Sequence, residues 1–256
     1  QSVAAVDSTG KVTGVNVGTT TITAISHDSG FVAQCTVNVV IPVAGVSLNK
    51  TSVSMIKGKT GTLTATITPA DATDKAVTWK SSDTNVATVD SSGKITATGG
   101  GSAVITVTTH DGNFTAKCNV TVTVPATGIS LNQSSLSIVK GTYGALTASV
   151  SPADATDKAV TWSSDNTSVA AVDSTGKVTG INAGSAVITA VSHDGGFTAK
   201  CTVNVIIPVT GISLNKTSDS LIKSKTDTLT AAITPTAATD KAVTWKSSDT
   251  NVATVD

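Results

Sequence analysis

The chain repeats itself at a fixed interval. The pentapeptide Ala33-Gln34-Cys35-Thr36-Val37 returns as Ala116-Lys117-Cys118-Asn119-Val120 and as Ala199-Lys200-Cys201-Thr202-Val203, so successive cysteines stand 83 residues apart. Trp79, Trp162 and Trp245 keep the same spacing, as do His27, His110 and His193, Pro69, Pro152 and Pro235, and Pro42, Pro125 and Pro208. Length alone, 256 residues, suggests one or two domains at roughly 100 to 200 residues each. The repeat overrides that prior, because regularity over a domain-sized unit means a string of similar domains.

Residues 44 to 126 make one period, and strand signals follow each other closely within it. Gly45 to Leu48 and Ser52 to Ile56 read as a broken first strand, and Leu63, Ala65 and Ile67 alternate with threonine in a second. Val77 and Trp79 mark a third strand, Val86 to Val89 and Lys94 to Ala97 flank an Asp90-Ser91-Ser92-Gly93 turn, and Ala103 to Thr108 form another. In the last strand Phe114, Ala116, Cys118, Val120 and Val122 share one face, while Thr115, Lys117, Asn119, Thr121 and Thr123 share the other. That period of two predicts a sheet with one buried side. Threonine, serine, valine and alanine dominate the chain, which suits pleated strands better than helices, where β-branched side chains lose rotamer freedom. About seven short strands in ~83 residues, with no helical periodicity, predict an all-β fold of tandem β-sandwiches arranged as a rod-like array. The stretch from Val122 through Pro125 to Ile129 has no Gly/Ser-rich segment, so adjacent domains are expected to abut in a semi-rigid string.

The motifs Gly45-Val46-Ser47-Leu48-Asn49, Ala76-Val77-Thr78-Trp79-Lys80-Ser81-Ser82-Asp83, Val86-Ala87-Thr88-Val89-Asp90, Gly101-Ser102-Ala103-Val104-Ile105-Thr106 and Cys118-Asn119-Val120-Thr121-Val122 resemble, in this order, the bacterial immunoglobulin-like domains of group 2. The resemblance extends over the whole chain. It implies an extracellular sandwich of the kind found in bacterial surface proteins, in adhesins of the intimin and invasin type, as accessory modules on secreted enzymes and in phage particles. It implies no chemistry, since a fold does not fix a function. Each repeat departs from antibody-like domains in carrying one cysteine, which excludes a disulfide within a domain.

No catalytic, cofactor-binding or metal-binding residues are expected. Cys35, Cys118 and Cys201 fall on the apolar face of the last strand and read as buried free thiols; the alternative, a reactive or cross-linking thiol, has no neighbour to lower its pKa. His27, His110 and His193 each precede Asp, in His27-Asp28-Ser29-Gly30, His110-Asp111-Gly112-Asn113 and His193-Asp194-Gly195-Gly196, and Asp-Gly between alternating strands is a hairpin-turn signal. A metal or acid-base role would need several such groups to converge, and one His per domain does not supply them. Asp71, Asp74, Asp83 and Asp90 lack the dense acidic pattern of a calcium cage, and Asp74-Lys75 reads as a solvated turn. Trp79, Trp162 and Trp245 share a face with Val77, Val160 and Val243 and read as core anchors rather than a sugar platform. Asn49-Lys50-Thr51 and Asn113-Phe114-Thr115 match a glycosylation signal that a threonine-rich chain meets by chance.

Seventeen basic residues balance seventeen acidic ones, which argues against nucleic acid as a partner. No apolar run of ~18 residues spans a membrane, and Gln1 does not open an export signal. Gln1 to Asp7 aligns with Thr84 to Asp90, so the sequence divides into the second half of a domain (1–43), two whole domains (44–126 and 127–209) and the first half of another (210–256). An export signal or anchor is expected outside these residues. The halves read as a window on a longer array, or as partners that neighbouring molecules complete by strand exchange into a filament. The expected function is a non-catalytic stalk or adhesive rod on a bacterial surface or secreted. The expected partners are surface carbohydrate, wall polymer, another protein or neighbouring copies. The alternatives are a virion decoration that binds host glycans and an accessory module of a secreted hydrolase.

Overall fold

The structure is a computed structural model that describes residues 2–256. Its ordered elements are strands throughout, and it divides into two compact units, one ending at Val124 and the other running Pro125–Asp256.

In the first unit, β1 (Ala4–Val6) pairs with β2 (Val12–Gly14), and β3 (Gly18–Ile25) pairs with β4 (Val32–Val39). A nine-stranded module follows: β5 (Gly45–Leu48), β6 (Ser52–Ile56), β7 (Thr60–Thr62), β8 (Ala65–Thr68), β9 (Val77–Ser81), β10 (Ala87–Val89), β11 (Lys94–Ala97), β12 (Gly101–Thr109) and β13 (Thr115–Thr123). One sheet runs β6-β13-β12-β9; the opposing strands are the β5-β8 pair and the β10-β11-β7 sheet. The broken first strand read from sequence is a change of sheet, since β5 pairs antiparallel with β8 and β6 pairs parallel with β13. The second strand breaks too. β7 joins β11, and Leu63 sits at the crossing, buried, with its amide donating to the Gly93 carbonyl at 2.9 Å.

Alternation makes the core. Along β12, Ala103, Ile105, Val107 and Thr109 are buried, and along β13, Cys118, Val120 and Val122 are buried, with threonines and Lys117 on the outer face. Register places Ile105 opposite Cys118 and Val107 between Trp79 and Ala116. Met55, Leu63, Val86, Ala87, Ile95 and Ala97 close the cluster from outside β12 and β13. Each fully buried Ile or Leu side chain contributes about 1.5–3 kcal/mol through removal from water. Phe114, which alternation placed on the inner face, lies 37% exposed at the hairpin end and packs over Gly112, where a Cβ would sit 2.5 Å from the ring.

The second unit repeats the module: β14 (Gly128–Leu131), β15 (Ser135–Val139), β16 (Tyr143–Ala145), β17 (Ala148–Ser151), β18 (Val160–Ser164), β19 (Ala170–Val172), β20 (Lys177–Gly180), β21 (Gly184–Ser192) and β22 (Thr198–Ile206). The pairings are the same, with sheets β15-β22-β21-β18 and β16-β20-β19 and the pair β14-β17. Ile188, Cys201, Val203 and Val205 stand where Ile105, Cys118, Val120 and Val122 stand in the first module. After it come β23 (Gly211–Leu214) and β24 (Ala231–Thr234), which pair with each other. The Thr68-Pro69, Ser151-Pro152 and Thr234-Pro235 bonds are cis.

Candidate functional site

The polar groups that the repeat holds in common gather at one end of each module, where two loops lie beside the chain that enters it. One loop joins β8 to β9 and carries Ala72-Thr73-Asp74-Lys75-Ala76; the other is the β12–β13 turn at His110 to Asn113. In the turn, Gly112 (φ 74°) and Asn113 (φ 53°) adopt the left-handed conformation, which glycine and asparagine reach most cheaply. Thr109, although buried, is satisfied: its hydroxyl donates to the Asp111 carbonyl at 2.6 Å and accepts from the Phe114 amide at 2.9 Å.

The turn therefore aims two polar side chains, those of His110 and Asp111. His110 Nδ1 lies 2.5 Å from Asp74 Oδ2 and so joins the two loops, while Asp74 Oδ1 accepts from the Ala76 amide at 2.9 Å. The hydrogen bond and charge of Asp74 raise the His110 pKa, and the hydrogen bond from His110, with the Ala76 amide, lowers that of Asp74. Asp111 Oδ2 accepts from the amide of Val43 at 2.8 Å. Thr73 makes two bonds to Ile41: its hydroxyl accepts from the Ile41 amide at 2.8 Å, and its own amide donates to the Ile41 carbonyl at 2.9 Å. In the second unit, His193 Nδ1 pairs with Asp157 Oδ2 at 2.5 Å, and Asp194 Oδ2 accepts from the Ala126 amide at 2.7 Å.

The turn reading of the His-Asp motifs at His110 and His193 thus describes the backbone but misses the use of the side chains. Asp111 reaches a partner 68 residues earlier, a distance no local pattern reveals. The available signal was the recurrence of Ala-Thr-Asp-Lys-Ala at 72–76, 155–159 and 238–242, a polar motif kept unchanged while neighbouring loop residues vary.

The other singled-out residues do not converge. Cys118 and Cys201 are buried, and burial pushes both thiols up from their ordinary pKa, which leaves them little thiolate. Cys35 is exposed, contrary to the expected burial: β3 and β4 form a two-stranded sheet, and among the described residues no second sheet covers the face that holds it. Trp79 and Trp162 are half-buried and pack against their core clusters. A shallow open depression of about 270 Å³ lies beside Trp162, lined also by Leu146, Thr147 and Ser174. Asp90 closes its turn by accepting from the Ser92 and Lys94 amides and the Ser92 hydroxyl, and these bonds hold its carboxyl below the usual range. Among the described residues no three His, Cys, Asp or Glu side chains are grouped to hold a metal ion. No helix among the described residues is long and apolar enough to cross a membrane.

Strand order, the change of sheet in the first strand and the 83-residue recurrence define a tandem array of immunoglobulin-like sandwiches. The chain belongs to the family of bacterial Ig-like domains of group 2, whose profile matches residues 1–37, 42–120, 125–203 and 208–256. It is 43% identical over 122 residues to an uncharacterized protein of Clostridium acetobutylicum, covering 47% of this chain and 13% of that protein. It is 38% identical over 105 residues to an Ig-like virion protein of Serratia phage KSP90, covering 40% and 41% of the two. It is 46% identical over 84 residues to a lacto-N-biosidase of Bifidobacterium bifidum, covering 33% of this chain and 7% of the enzyme. The chain therefore spans well under half the length of each of these relatives.

Proposed function

We infer that the array is a non-catalytic extracellular stalk or adhesive rod of a bacterial surface protein, a spacer that sets the distance between an anchor and a binding module. The observation that carries this reading is the repetition of one closed sandwich, strand for strand, at 83-residue spacing. Each copy adds a fixed increment of length. Contact with surface carbohydrate, wall polymer, another protein or neighbouring copies would fall to exposed edges and loops. A second reading, decoration of a virion, has the phage relative as its support. The glycosidase relative supports a third, an accessory module outside a catalytic domain.

Labelling with antibodies raised against the repeats separates the three. Gold particles on the envelope of intact cells are the result expected for a surface stalk. Label confined to phage particles, or a hydrolase that co-purifies with the antigen from the medium, would overturn that reading.

A further inference from the structure

We propose that each domain grips the linker entering it with a two-point clasp, formed by the threonine of the β8–β9 loop and the aspartate of the β12–β13 turn. The clasp fixes the direction of the preceding strand. It deepens the rod reading by naming where the stiffness of an array would arise, and its test does not depend on that reading.

A linker in water normally leaves its backbone donors to solvent. Here the donors from Ile41 to Ala44 are all taken up. The Ile41 amide donates to the Thr73 hydroxyl, Pro42 has no N–H, the Val43 amide donates to Asp111 and the Ala44 amide donates to the Thr68 carbonyl at 2.7 Å. Strand β4 ends at Val39, so Val40 alone separates the sheet of one domain from the clasp of the next. In the second unit the interval closes completely: β22 ends at Ile206, and the Ile207 amide donates to the Thr239 hydroxyl at 2.7 Å while its carbonyl accepts from the Thr239 amide at 2.9 Å. Proline between the two held residues fixes a further φ near −65°.

Burial follows the clasp. Val43 is the one buried residue of 2–43, and Ala238, beside Thr239, is the one buried residue of 210–256, at 6% and 4% exposure. Both segments leave their strand faces open, yet each is packed at this point. In both modules the residue that donates to the turn aspartate is shielded from solvent: Val43 and Ala126 are 6% and 7% exposed. The His110–Asp74 pair ties the two clasping loops to each other, as His193–Asp157 does in the second module.

The test is amide hydrogen exchange on the whole 256-residue chain, read residue by residue by NMR. The Val43 and Ala126 amides are expected to exchange more slowly than that of Val40, which is exposed in the linker just before the clasp, by a factor on the order of ten or more after correction for local sequence. Asp111→Ala is expected to abolish the difference at Val43 while leaving Ala126 and the core amides of Ile105 and Val120 unchanged. It is also expected to loosen 2–39 against 44–126 in ¹⁵N relaxation. Equal protection at Val40, Val43 and Ala126 in the unaltered chain would overturn the proposal without any variant. So would a Val43 rate unmoved by Asp111→Ala. Surface labelling could succeed with either result, so failure of the clasp and failure of the stalk reading remain distinct.

Discussion

Two glycines with the same backbone conformation should respond very differently to one methyl group. Gly58 and Gly93 both have φ near +82°. A Cβ at Gly58 would meet nothing within 4 Å, whereas at Gly93 it would lie 2.4 Å from the Leu63 carbonyl oxygen and 2.9 Å from the Trp79 ring. The left-handed conformation costs an L-residue about 1–2 kcal/mol, offset by about 0.4–1 kcal/mol from the stiffer unfolded chain. Gly58→Ala should therefore lose about 1 kcal/mol. Gly93→Ala adds an overpacking cost of about 1–3 kcal/mol, because the obstacle is backbone and an anchored indole rather than a flexible side-chain end, for a total of about 2–4 kcal/mol. In a chain carrying Trp162→Phe and Trp245→Phe, Trp79 is the only tryptophan, and its fluorescence reports urea unfolding of this module. With a slope of about 1 kcal/mol per molar urea for so small a domain, the midpoint should fall by about 1 M for Gly58→Ala and about 2–4 M for Gly93→Ala. Equal shifts would refute the argument that contact with Leu63 and Trp79 fixes glycine in that turn.

Ile105→Ala removes a side chain with no exposed surface from the centre of the core, and a loss of about 2–5 kcal/mol is expected in the same urea titration. Under native conditions a thiol reagent should titrate Cys35 quickly and reach Cys118 and Cys201 only as the modules open, since those two are buried and held protonated; three equally fast thiols would contradict the packing. NMR titration should place the His110 and His193 midpoints above the ordinary 6.5, and Asp74→Asn should lower the midpoint of His110 alone. The stabilisation from a raised histidine is fully present below the unfolded value and is lost as pH rises through the folded one. The Asp74 contribution runs the other way, present above its unfolded value and lost as pH falls through the lowered folded one.

Much of this was legible because period and alternation are one-dimensional signals. The spacing of Cys35, Cys118 and Cys201 announces the domain unit, and the alternation from Ala116 to Val122 orients β13 correctly. Errors arose where a second sheet or a distant chain decides. Phe114 continues the apolar alternation but sits just before the start of β13, where it covers Gly112. Cys35 has the neighbours of a core residue but, among the described residues, no opposing sheet. Leu63 reads as the start of a strand and is in fact the crossing between two. Asp111 and Thr73 read as turn and loop residues because their partners, Val43 and Ile41, lie 68 and 32 residues away. Pattern within a strand is local; the clasp depends on pairing across a whole module.

Pulling single molecules by their ends tests the modular array most directly. Sandwiches 44–126 and 127–209 that unfold one at a time predict two unfolding events of equal contour length, each releasing up to about 290 Å at ~3.3–3.6 Å per extended residue. A single event, or two of unequal length, would contradict the 83-residue unit on which the account rests.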